Sequence, residues 1–472
     1  MSERKRFKRL ITRYPHPHVN FFGRSHWTRR NFFRLLGSGL TGYFLGGPMA
    51  PTLSRAAAAV EPKGTAKQVI FLFLQGAPSP IDTFDFKMTP DTPSDFSPET
   101  VNGIQFPVGL LPNTAQILDK VGIIRSGLSW ALAHNLAQTW FQIGRSPISA
   151  TGGIAPHLGS VVAIEKEPER RPDQIFPVFI ALNAENTPGS GYFPVALGPF
   201  KTRPSIEGLT STQHADGQAR FEKRWDMLHL IDAPLRGPDS AIGAAGTGMG
   251  EFYESARNMM FNPIVSEAFS FTEEESLRYG DTSFGDACSI AKKIVAADQG
   301  TRFIQVNHGG WDHHAAIYDR NEVNGEEVGR NIYAQGSQFD KGFAALINDL
   351  EADGLLDETL VLACGEFGRT VGRVTNDGAG RDHYLQMFYV LAGGGVQGGT
   401  VIGQTDPTGA FTIDPGWSRG RDVRPEDIEA TIYSAMGIDW TTIRTDDPLG
   451  RGFEYVPMSS EDAYGPVHEL WR

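Results

Sequence analysis

The sequence predicts an α/β chain: a three-layer sandwich with a mostly parallel central sheet and helices on both faces. Short, continuously apolar runs end in glycine or proline, helical periodicities lie between them, and polar clusters follow the runs directly. Gln68–Leu74 is the first such run, closed by Gln75-Gly76-Ala77-Pro78, and its unbroken apolarity suits a strand buried on both faces. Residues 339–350 place Phe339, Phe343, Leu346, Ile347 and Leu350 at helical spacing, with Gly354 as the stop. Two further buried strands follow at Thr359–Cys364 and at residues 387–392, the second ended by three glycines. Pro425 then opens a helix through Met436, with Gly437 at its end. Between about 200 and 280 the strand signals stop, and residues 218–231 and 249–261 read as helices around a Gly-, Ala- and Pro-rich stretch. This region is expected to be a helical insertion or cap.

Composition narrows the function. The chain has 472 residues, 40% hydrophobic and 21% charged, which suits a soluble globular protein and excludes disordered, collagen-like and coiled-coil classes. With only Cys288 and Cys364, no Cys-based zinc module can form, so any metal must be held by His, Asp or Glu. Residues 1–60 hold eleven basic residues and the single acid Glu3, leaving the remainder with 32 basic and 54 acidic residues and a charge of −22. Such a body offers no basic stripe for phosphate contacts, so no nucleic-acid partner is expected.

Residues 1–59 read as a twin-arginine signal region. Arg29-Arg30 precedes an uncharged segment at 35–54 and the small-residue run at 56–59, the layout of an export signal cleaved near Ala58 or Ala59. The uncharged segment contains five glycines and two prolines, too weakly apolar for a stable membrane span after cleavage. The expected location is therefore periplasmic or otherwise extracytoplasmic, with the twin-arginine translocation machinery as partner. The remaining domain is 60–472.

Four polar clusters sit at expected strand ends, where open α/β sheets bind ligands. Residues 303–306 run as a strand into Asn307-His308-Gly309-Gly310-Trp311-Asp312-His313-His314, with four potential metal ligands within seven residues. Imidazole and carboxylate together suit zinc, manganese or iron; a solvated turn with capping histidines is the plainer alternative. Gly365-Glu366-Phe367-Gly368-Arg369-Thr370 offers a carboxylate for a cation and a guanidinium for an oxyanion, or simply an ion pair. Gly380-Arg381-Asp382-His383 fits a ligand with an orienting carboxylate, or a hydrogen-bonded turn. His134-Asn135 opens a helix ending near Gly144-Arg145, and its start is either an anion site or an ordinary cap.

In their order, these phrases resemble the exported bacterial proteins grouped as domain-of-unknown-function family 1501. Residues 71–85, the 391–395 glycine run and residues 427–433 extend the resemblance over nearly all of the mature chain. That family is similar to the alkaline-phosphatase and sulfatase superfamily, whose members hydrolyse phosphate or sulfate esters with metals at the strand ends. The resemblance implies that Asp312, His314 and His383 hold a divalent metal, with zinc, manganese and calcium as candidates and Glu366 as a fourth or second-site ligand. It also implies departures from the superfamily. Gln75 replaces the Asp closing the first strand, and Glu366-Phe367 replaces an Asp-His pair, so a second metal position is altered unless Glu366 and Asp82 compensate. His134 precedes Gly144-Arg145 by the spacing at which sulfatases carry their modified Cys or Ser, so His134 is expected as base or covalent acceptor, and a formylglycine mechanism is disfavoured. Arg369 or Arg381 would neutralise developing oxygen charge. The implied function is a metal-dependent hydrolase acting on an anionic small-molecule or polysaccharide ester; the alternative is an exported binding or structural protein on the same fold without turnover.

Overall fold

Alternate residues of the first apolar run face opposite ways, and both directions are filled. In β1 (Gln68–Leu74), Ile70, Leu72 and Leu74 enter one hydrophobic core while Val69, Phe71 and Phe73 enter another. Each such side chain removed from water contributes on the order of 1.5–3 kcal/mol, which explains why six consecutive apolar residues are held at the centre of a sheet. The computed structural model describes residues 60–235, 250, 253–323, 326, 327 and 329–471. The signal region expected at residues 1–59 lies outside the described residues.

Seven more strands complete the sheet: β2 (Val121–Leu128), β3 (Phe179–Leu182), β4 (Phe200–Thr202), β5 (Phe303–His308), β6 (Thr359–Cys364), β7 (Gln386–Ala392) and β8 (Val401–Ile402). Their order is β8-β2-β7-β6-β1-β5-β3-β4. β1 pairs in parallel with β6 and β5, in register Phe73 with Cys364 and Leu74 with His308. β7 alone runs antiparallel, against β6 and β2. No crossover helix lies between β6 and β7, and a parallel return requires one. This reversal matters for the site, because residues just before β7 arrive at the same sheet edge as residues just after β1, β5 and β6.

Helices cover both faces, as the α/β reading predicts. α1 (His134–Ile143), α2 (Leu158–Lys166) and α6 (Pro425–Ala435) pack on one side; α4 (Ser283–Ala297) and α5 (Ile332–Ala352) pack on the other. α1 is seated by Phe141, which stacks on Phe71 at 5.5 Å and on Phe73 at 6.0 Å. It ends at Gly144 (φ +63°), where any Cβ would overlap the buried Glu429 carboxylate of α6. The expected 200–280 region does contain the helix α3 (Gln218–Asp232) and helical residues 253–259, but it begins with the edge strand β4. That strand escapes sequence reading because it has three residues, none fully buried. Among the described residues no helix is long and apolar enough to cross a membrane.

Candidate metal centre

Four loops meet at the carboxyl edge of the parallel strands. The turn after β1 brings Gly76 (φ +102°) so close to the 311–312 peptide that a Cβ would stand 2.5 Å from the Asp312 nitrogen, so only glycine fits. The loop after β5 carries Asp312 and His314, and that after β6 carries Glu366. His383 arrives from the strand preceding β7. α1, which follows β2, starts with His134 itself.

His134, Asp312, His314 and His383 present ligand atoms that all lie within 4.8 Å of one another, and among the described residues this is the one such group of three or more. The Nε2 atoms face a single carboxylate oxygen: Asp312 Oδ1 is 3.2 Å from His134, 3.0 Å from His314 and 3.7 Å from His383. Every Nδ1 is committed elsewhere. His134 Nδ1 meets Glu366 Oε1 at 2.6 Å, His314 Nδ1 meets Asp382 Oδ1 at 3.0 Å, and His383 Nδ1 donates to the Leu132 carbonyl at 2.6 Å. Those acceptors hold the ring hydrogen on Nδ1, which turns three Nε2 lone pairs toward the same point. His134 Nε2 has no hydrogen-bond partner although it is shielded from solvent.

The surroundings keep Asp312 and His383 in ligand form and leave His134 open to a proton that a bound cation would displace. Burial would raise the Asp312 pKa, but the Arg369 hydrogen bond and charge, with His134 and His314 adding to them, bring it to about 2. The Glu366 hydrogen bond raises the His134 pKa, and burial lowers that of His383. Phe367, which is 1% exposed, packs its ring 4.8 Å from His134 and 4.6 Å from His383 and so fixes both planes. Three imidazoles and a carboxylate, each oriented from behind, match the donor chemistry of zinc or a similar borderline cation.

Several expected site residues stand elsewhere. Glu366 is behind the convergence: it accepts from Gly76 N at 3.0 Å and Gln138 Nε2 at 3.0 Å as well as meeting His134. His134 takes the fourth place in the cluster with Asp312, His314 and His383 that Glu366 was expected to fill. Arg369 is 1% exposed, with Nε on the Ala77 carbonyl, Nη1 on the Arg381 carbonyl, and Nη2 on the Gly76 carbonyl and on Asp312 at 2.5 Å. Arg381 is fully buried and holds Asp82 (Nε to Oδ2, 2.7 Å), Tyr318 and the carbonyls of Thr370 and Gly372. Backbone carbonyls, carboxylates and the Tyr318 hydroxyl take all five Arg381 N–H groups and four of the five of Arg369, and both guanidinium side chains are buried. Asp82, expected to compensate at a second metal position, is consumed by that same ion pair. His308 and His313 turn inward, where burial pushes both imidazoles down to about 4. Arg145, the Arg of the Gly144-Arg145 pair, donates to the carbonyls of Glu454 and Tyr455 and lies over the Phe453 ring. The Leu132 carbonyl was invisible in sequence because it acts through backbone; Gln138, one helical turn from His134, had a spacing signal.

A model of the family described as "Protein of unknown function (DUF1501)" matches residues 66–461. The chain belongs to that family. A search of curated proteins finds no match. Among solved structures, this DUF1501 member is similar to the lipoteichoic acid synthase LtaP from Listeria monocytogenes, with 12% identity, 84% of this chain and 77% of that chain covered, and a TM-score of 0.37. It is similar to the PsFucS1 sulfatase from Pseudoalteromonas sp., at 11% identity, 80% and 68% coverage and a TM-score of 0.37. It is also similar to alkaline phosphatase from the Antarctic bacterium TAB5, at 14% identity, 70% and 92% coverage and a TM-score of 0.33.

Proposed function

We propose that this chain is an exported hydrolase of phosphate or sulfate esters that works with one divalent cation held by His134, Asp312, His314 and His383. The observation that carries the reading is the convergence of three Nε2 atoms on Asp312 Oδ1 with every Nδ1 already engaged. A cation bound there supplies Lewis acidity toward an ester oxygen and lowers the pKa of water. The protein's part is orientation. Arg369 keeps Asp312 ionised and aimed; Glu366, Asp382 and the Leu132 carbonyl fix the rings. The first turn of α1, whose N-cap Ala133 supplies no side-chain cap, offers backbone N–H groups and the positive end of a helix dipole to an anionic ester beside His134. In this arrangement His134 is a ligand rather than a base or covalent acceptor. The domain comprises residues 60–472 with a helical cap at about 200–280, and export follows the twin-arginine route.

A second reading, a metal-bearing binding protein without turnover, is favoured by one observation: Arg369 and Arg381 are both spent on internal partners. Metal analysis of protein purified from the exported fraction, followed by hydrolysis of p-nitrophenyl phosphate, bis(p-nitrophenyl) phosphate and p-nitrophenyl sulfate, decides between them. Bound metal with turnover of any ester supports the hydrolase; bound metal with anion binding and no turnover supports the second reading. Replacement of Arg29 and Arg30 by Lys should strand the precursor inside the cell, and normal appearance of mature protein outside would remove the proposed route.

A further inference from the structure

The loop between β2 and α1 is gripped from behind by the start of α6. Glu426 lies in the first turn of α6, where an acidic side chain is favoured by the helix dipole, and it is 4% exposed. Its two oxygens are divided between two indoles: Trp130 Nε1 donates to Oε2 at 2.8 Å and Trp140 Nε1 donates to Oε1 at 3.0 Å. The two rings stack on each other with centroids 5.8 Å apart. Arg424, just before the helix, places its guanidinium 3.8 Å from the Trp130 ring centre and donates to the carbonyls of Leu128 and Ser129. Trp130 precedes Leu132, whose carbonyl accepts from His383 Nδ1; Trp140 lies on the helix that begins with His134. The two indoles therefore bracket the turn that fixes half of the candidate ligand set.

We propose that Glu426 is a positioning residue for the metal centre: by pinning Trp130 and Trp140 it holds the Leu132 carbonyl on His383 and the start of α1 at the other ligands. The inference rests on the metal reading above. Glu426 itself touches none of the four ligands, so it acts through the turn alone. In Glu426→Gln one carboxylate oxygen becomes an NH2 group, which cannot accept from an indole, while volume is preserved. One of the two clamps is thereby opened.

The test compares the full-length mature chain with E426Q, Trp140→Phe and, as a structural control, Asp340→Asn. Asp340 is a buried carboxylate on α5 that accepts from Asn113 and Thr114, so the control alters a comparable hydrogen-bonded site remote from the turn. Zinc ion alone is titrated by competition with a chromogenic chelator. Imidazole 15N spectra of the metal-free protein report which nitrogen of His383 carries the hydrogen. The expected result is a zinc affinity about 10- to 100-fold weaker in E426Q, a smaller loss in W140F, and none in D340N. His383 in metal-free E426Q should shift from the Nδ1–H form toward a mixture. Folded E426Q with wild-type His383 spectra would overturn the inference. Absence of zinc uptake by the wild type would remove the metal reading, and the His383 spectra would still decide the positioning role.

Discussion

The Nε2 atoms of His314 and His383 stand 2.9 Å apart while each ring has committed its Nδ1, to Asp382 and to the Leu132 carbonyl respectively. With both rings neutral, two lone pairs face each other beside the Asp312 carboxylate. A cation between them or a proton on one of them relieves that repulsion. The rigidity of the outer partners is what makes the inner arrangement specific.

Glu366 is the most heavily engaged of those partners. Gly76 N, His134 Nδ1 and Gln138 Nε2 all reach its Oε1, and Gly76 N also reaches Oε2 at 3.3 Å, so replacing it by Gln removes the charge and turns an NH2 group toward the Gly76 N–H at least. Glu366→Gln should weaken metal binding about 10- to 100-fold and destabilise the fold by about 1–3 kcal/mol through a buried unsatisfied donor. Chelator competition and urea unfolding read the two effects separately. Metal affinity equal to wild type would remove Glu366 from the centre.

Asp82 and Arg381 form an ion pair in which both side chains are fully buried. Truncating one partner strands the other charge, so Asp82→Ala should cost about 3–5 kcal/mol, measured by urea unfolding, while folded protein retains its metal. If Arg381 instead neutralised charge on an ester, the same change would leave stability near wild type and alter KM.

Glu429 gives the clearest pH signature. Burial pushes its carboxyl up to about 8, against the lowering effects of Arg145 and the Tyr433 hydrogen bond, and nearby Glu426 adds to the rise. A carboxyl raised in the folded state binds its proton more tightly there than in the unfolded chain. Its stabilising contribution is therefore full below about 4.5 and is lost as pH rises through about 8. Glu429→Gln should flatten the stability profile over that window and leave the variant more stable than wild type at pH 8. Thermal melts from pH 5 to 8 check this; parallel profiles for the two proteins would contradict it.

The parallel strands were readable because residues 69–74 and 360–364 are apolar on both faces, which a doubly covered sheet demands, while the 303–306 run reads as a strand that opens onto a polar cluster. β3 carries the same mark, four residues all apolar and buried, but in a run too short to stand out, and β8 has only two residues. The approach of Asp312, His314 and His383 could be anticipated from motifs at strand ends, with the last depending on the reversal of β7. His134 is expected at the same cleft as base or acceptor, but its exchange of places with Glu366 could not be read, since the Glu366 side chain turns back toward the Gly76 amide and leaves the front to His134. Arg369 and Arg381 have the composition of anion binders, yet their acceptors are mostly backbone carbonyls of residues near and far in sequence, which no motif displays.

In the proposed centre, four side chains, His134, Asp312, His314 and His383, hold one divalent cation. Metal content and zinc affinity of the protein, measured for wild type and for Asp312→Ala, His134→Ala and His383→Ala, decide it. Close to one equivalent is expected in wild type, with a loss of at least 10-fold in affinity in each variant, His134→Ala included. Full metal retention in His134→Ala would return that residue to the role of base or acceptor, and retention in all three variants would contradict the proposed centre.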